Sequence, residues 1–64
     1  RHERRAEIAL RRALTLDEDL AEAHNRLGIL LVGRGEVEKG HAHLLRAVAL
    51  APEDPSPQLH LAQA

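Results

Sequence analysis

No cysteine and no aromatic residue occurs among the 64 residues. The first absence excludes disulfide staples and any thiolate nucleophile. It decides nothing about compartment, because a chain without cysteine is tolerated in reducing and oxidising surroundings alike. The second removes the large burial increments that aromatic rings supply and the stacking platforms of single-strand nucleic-acid readers. No charge sign dominates: nine Lys and Arg face ten Asp and Glu, for a formal net charge of −1. A global pull toward nucleic acid or an anionic membrane is thereby excluded. Long apolar runs are lacking too. The longest, Leu27 to Val32 with Gly28 inside it, is far short of a bilayer span.

What is present is leucine, alanine, valine and isoleucine, residues that suit close-packed helices. A chain this short buries only about 60% of its unfolded surface, and small folds usually need staples or oligomerisation. The chain begins at Arg1, and we read it as a segment of a longer protein. The leucine-, alanine- and arginine-rich composition fits a bacterial source.

Hydrophobic spacing predicts four helices. The first runs from about Arg1 to Leu16, with Ala6, Leu10, Ala13 and Leu14 on one face. Asp17-Glu18-Asp19 ends it and offers a capping carboxylate to the next helix, whose N-terminal dipole favours acids. The second helix is expected from about Leu20 to Val32 and stops at Gly33-Arg34-Gly35, where glycine reaches the left-handed region a tight turn needs. The third runs from about Glu36 to Ala51 with Val37, Gly40, Leu44, Ala47 and Val48 inward. Pro52-Glu53-Asp54-Pro55 ends it. Asp54 then reads as N-cap and Pro55 as first residue of a fourth helix, with Ser56-Pro57 able to shift that start.

The most informative spacing is His24-x2-Leu27-Gly28-x2-Leu31, then Gly40-x3-Leu44-x2-Ala47, then Pro52. Large, small and turn residues in that order describe a helix–turn–helix unit of about 34 residues, a period used by stacking helical repeats. A weak internal repeat agrees. Shifting residues 1–20 by 34 positions aligns Leu10 with Leu44, Arg12 with Arg46, Ala13 with Ala47 and Leu16 with Leu50, while Ala6 meets Gly40. In the other direction Leu61 falls on Leu27, Ala62 on Gly28 and His60 on Arg26. The fold expected is all-α, an antiparallel array of helix-turn-helix units, a fragment of an α-solenoid.

The pattern resembles a tetratricopeptide repeat. Residues 21–54 would form one complete unit, residues 1–20 the second helix of a preceding unit, and residues 55–64 the opening of a following one. Departures are visible: His24 stands where the family prefers tryptophan or tyrosine, Leu31 where it prefers tyrosine, Leu44 phenylalanine and Gly40 alanine. Glu18 replaces the proline expected at the end of the first partial unit. The resemblance implies a protein–protein interaction scaffold that holds a peptide or helix in a concave groove. That groove would be lined by Glu22, Asn25, Arg26 and Ile29, with Val32 at its edge and His60 beside Arg26 one period on. The family's clamp for C-terminal carboxylates uses lysine and asparagine at set groove positions. Arg26 occupies the asparagine place and Asn25 lies one beside it, which departs from that specialisation.

At about 100° per residue, Leu27, Leu31, His24 and Gly28 share one side of the second helix, while Glu22, Asn25, Arg26, Ile29 and Gly33 lie nearly opposite. Arginine at such a surface binds a carboxylate in two-pronged fashion, so the expected partner is a protein or peptide with an acidic group. The competing account pairs Arg26 with Glu22 at i,i+4 on a solvated face, worth a few tenths of a kcal/mol. Leucines left open on the first and last helices predict self-association through those terminal helices.

Other chemistries find little support. His41 and His43 lie about 200° apart on a helix, and no carboxylate joins them at a spacing a zinc site needs. We therefore expect no metal and no cofactor; His24 reads as a packing residue in place of a ring. Histidine titration implies some pH sensitivity. Arg1, Arg4, Arg5, Arg11 and Arg12 form a basic helix end, read as a soluble surface rather than a nucleic-acid site. Gly33-Arg34-Gly35 is too short for a phosphate loop, and no serine joins a histidine and an acid in catalytic order, so no enzyme activity is expected. Two further possibilities stand beside the scaffold: a substrate-presenting or regulatory array attached to an enzyme such as a transferase, and a structural spacer.

Overall fold

The computed structural model describes residues 2–63, with side chains placed from residue 4 onward. Four helices follow one another: α1 (His2–Leu16), α2 (Ala21–Gly33), α3 (Val37–Leu50) and α4 (Ser56–Gln63). The described residues are 80% helical, without strands, and form an all-α array of helical hairpins. The expected bounds differ from these by a residue or so. The expectations placed on Arg1 and Ala64 lie outside the described residues.

Each helix packs against its neighbour in sequence, and α2 also touches α4. The α2–α3 hairpin is antiparallel, because its contacts climb one helix as they descend the other. His24 meets His43, Gly28 meets Gly40 and Leu44, and Leu31 meets Glu36. Leu27, Leu31, Leu44 and Ala47 are fully shielded between the helices. Burying each leucine contributes roughly 1.5–3 kcal/mol relative to exposure.

Two glycines make this closeness available. A methyl carbon at Gly28 would lie 2.7 Å from Leu44 Cγ and 2.9 Å from the Gly40 carbonyl oxygen. One at Gly40 would run into Val32 Cγ2 and sit 2.8 Å from the Gly28 carbonyl oxygen. The obstacles include backbone atoms, which cannot rotate away, so an alanine at position 40 does not fit here without the helices parting. Val32 therefore belongs to the α2–α3 contact, which corrects its placement at the groove edge. Four residues from Gly28, it shares that residue's side of the helix.

Turn chemistry explains the hairpin's tip. Gly35 carries the one positive φ among the described residues, +93°. The Gly35 amide donates to the Val32 carbonyl at 3.0 Å and the Glu36 amide to the Leu31 carbonyl at 2.9 Å. Those two bonds are the paired C-terminal closure that a left-handed residue makes possible. At the other end of α2 the capping expectation is corrected. Leu20 is the N-cap residue and no side chain caps the helix; instead Asp17 Oδ1 accepts from the Asp19 amide at 3.0 Å, closing a turn of its own. The carboxylate competes locally for the nearest amide two residues on, as Asp does in turns. At α4, Asp54 Oδ1 does accept from the Ser56 amide at 3.0 Å.

The expectation that Val37 points inward is also corrected. Val37 is exposed, and Ala6 lies open on α1. Val37 stands in the first turn of α3, on the residue after the hairpin turn.

Candidate functional site

The side of α2 turned away from Leu27 and Leu31 carries an open depression of about 480 Å³, lined by Arg26, Ile29, Leu30 and Gly33. Spacings of three, four and seven put these residues on one stripe. Leu30 was missed from the sequence, although its position four residues after Arg26 signals it. The Arg26 guanidinium donates through Nε to Glu22 Oε2 at 2.6 Å, and both side chains remain about two-thirds exposed. Such an exposed i,i+4 pair is worth a few tenths of a kcal/mol, so it orients Arg26 without committing it.

Asn25 is placed differently from expectation. It is 5% exposed, and its Nδ2 donates to Ser56 Oγ at 3.0 Å. The face opposite α3 is covered at this point by the start of α4, which turns Asn25 from a groove residue into an interhelical tie. Its Oδ1 is buried with no hydrogen-bond partner among the described residues. His60 is part-buried, and its Nδ1 lies 2.8 Å from the Ser56 carbonyl oxygen. A carbonyl only accepts, so Nδ1 carries the proton. The structure thus leaves Glu22, Arg26 and Ile29 at the surface of α2 and draws Asn25 into the seam with α4.

On the opposite side, His24 and His43 meet between α2 and α3, their rings stacked with centroids 5.3 Å apart. The Nδ1 atoms are 3.1 Å apart, and His24 Nε2 lies 2.8 Å from the Glu18 carbonyl oxygen. Arg11, Leu14, Thr15 and Leu27 complete the surroundings. Burial first, and then the neighbouring His24 and Arg11, push the His43 imidazole below its ordinary titration range. Sequence spacing tests histidines along one helix, whereas this pair spans two and is separated by 19 residues.

A third cluster joins α1 to the tip of the hairpin. Arg34 reaches Glu7 at 2.7 Å and Glu36 at 2.8 Å, while Glu7 also holds Arg11 at 2.9 Å. The hydrogen bonds from Arg34 and then Arg11 lower the Glu7 carboxyl to about 2. Beyond it, the outer side of α1 exposes Ile8 and Leu16 beside Ala9, Ala13 and Arg12. Among the described residues, no group of three or more His, Asp or Glu side chains is placed to hold a metal ion. No helix there is long and apolar enough to cross a membrane.

Comparison with known protein families, curated proteins and solved structures finds no match for this chain.

Proposed function

We propose that this chain is an interaction scaffold of tetratricopeptide type, which holds a segment of a partner protein against the exposed side of α2. The observation that carries the reading is the pairing, in one open depression, of apolar surface from Ile29 and Leu30 with the Arg26 guanidinium. A partner segment with an apolar residue and a neighbouring carboxylate matches that surface. Its carboxylate would replace Glu22 on Arg26, an exchange that costs little because the existing pair is solvent-screened. Bonds to a charged group contribute about 1.5–3 kcal/mol, and the apolar contact adds burial.

Asn25 supports this reading indirectly, by fixing α4 against α2 through Ser56. Peptide selection tests the proposal: a random displayed library panned on the full chain is expected to enrich sequences that place Asp or Glu near a large apolar residue. Binding of the enriched peptides should weaken at least about tenfold in Arg26→Glu. Enrichment without acidic residues, or equal binding to Arg26→Glu, would remove this face from the function. The apolar outer side of α1, with Ile8 and Leu16 exposed, is the surface on which self-association would then be sought.

A further inference from the structure

We infer that copies of this chain stack head to tail, the open face of α4 in one copy seating on the open face of α1 in the next. The junction then repeats the contact of the α2–α3 hairpin. Its register is the 34-residue period, which the loops keep in three dimensions. The Leu20 amide donates to the Asp17 carbonyl at 3.4 Å, and 34 residues on the Asp54 amide donates to the Ala51 carbonyl at 3.1 Å. Ala23 and Pro57, again one period apart, are both buried. In this register α4 is a second α2, and α1 a second α3.

Each of these two helices is open where its counterpart is covered. On α4, Leu61 is half-covered and Ala62 exposed, while Leu27 and Gly28 of α2 are buried. On α1, Ala6 is exposed and Leu10 and Ala13 are half-covered, while Gly40, Leu44 and Ala47 of α3 are buried. Leu44 owes its cover to α2, since it lies against Gly28. One period away the same contact is Leu10 of one copy under Ala62 of another. The two open faces therefore fit each other rather than themselves: one is the first-helix half of the hairpin contact, the other the second-helix half. Such an interface is heterologous, and it runs on into a chain of copies or closes as a ring.

Charge agrees with the same register. Arg46 of α3 holds Asp19, in the loop before α2, at 3.1 Å. One period away those positions are Arg12 on α1 and Glu53 in the loop before α4, both exposed. Among the described residues neither is held in an ion pair, and Arg12 borders the depression on α1 that α4 of the next copy would fill. The junction is looser than the hairpin it copies. Ala62 and Ala6 stand where Gly28 and Gly40 meet, and a methyl at either glycine crowds the facing backbone, so the helices sit farther apart. Gln58 and Ala9 take the places of the stacked His24 and His43. Stacking is accordingly expected with dissociation constants on the order of 0.1–1 mM, as for transient contacts, and α1 stands open in dilute solution.

The contact uses neither Arg26 nor Ile29, so its test is separate from that of the partner surface. Sedimentation equilibrium of the full chain up to about 2 mM is expected to show a mass that climbs from 7.1 kDa past that of a dimer. A mass that never rises, or that levels at the dimer, would overturn the inference. Ala6→Arg and Ala62→Arg, both at exposed positions, each block one face and should weaken association at least about tenfold. Mixed together they are expected to pair through the faces left intact and to stop at a dimer, a recovery that requires both variants to be folded. Undiminished association of Ala62→Arg alone would mean that α1 pairs with itself, and would overturn the inference. The register is read by charge, which leaves the packing untouched. Arg12→Glu should weaken stacking about threefold, as for an exposed pair, and adding Glu53→Arg to the same chain should restore it. No restoration would overturn the register.

Discussion

Helices α1 and α3 carry the same pattern 34 residues apart, yet their fates differ. Leu44 of α3 is completely buried, while its counterpart Leu10 on α1 is only partly covered; Leu50 is half-covered and its counterpart Leu16 is 88% exposed. The difference lies in the neighbours. On its two sides α3 has α2 and α4, whereas among the described residues α1 packs against α2 alone. Small residues sharpen the contrast, since Gly40 lets α3 approach α2 to backbone distance, and Ala6, at the equivalent place on α1, lies open. A repeat pattern specifies which residues are able to be buried, and stacking decides which of them are.

The largest test of that comparison is a matched pair of truncations. Leu44→Ala removes a fully shielded side chain and is expected to cost about 2–5 kcal/mol. Leu10→Ala, with the same chemistry in a half-covered place, should cost less than half as much. Urea denaturation of both variants checks this, and equal costs would break the distinction between the two helices.

A smaller effect comes from the ion-pair cluster that ties α1 to the hairpin tip. Glu7 titrates at about 2, lowered from 4.5 by Arg34 and then Arg11. The folded chain therefore binds its proton less readily than the unfolded chain does. The resulting stabilisation is complete above pH 4.5 and disappears as pH falls toward 2. Glu7→Gln is expected to flatten the stability profile between pH 5 and 2.5. Added salt should shrink the difference between native and variant chains, as it does for surface pairs. Denaturation midpoints across that pH range provide the check.

Much of the fold was legible because it rests on local signals. Periodicity located four helices, and Gly33-Arg34-Gly35 announced the turn that Gly35 closes. What escaped depends on where a second neighbour sits. Angular position on α2 correctly put Asn25 opposite Leu27, but that side is covered by α4, whose Ser56 takes the Asn25 amide. Nothing in the spacing along one helix reveals that contact. The His24–His43 meeting is of the same kind, since it follows from the register of two antiparallel helices. Asp17–Asp19 shows a competition within the loop: the carboxylate expected to cap α2 closes its own turn first. Arg26 and Ile29, by contrast, were placed at the surface by periodicity alone and stay there.

Native-state hydrogen exchange measures how firmly each helix is held in the intact chain, and so compares α1 with α3 directly. The slowest amides are expected in α2 and α3 around Leu27, Leu31 and Leu44. Those of α1 should exchange at least about tenfold faster, because local opening of an element packed on one side costs less than global unfolding. Protection of α1 equal to that of α3 would mean instead that stacking on one side holds a helix as firmly as stacking on two, or that the outer face of α1 is covered in solution.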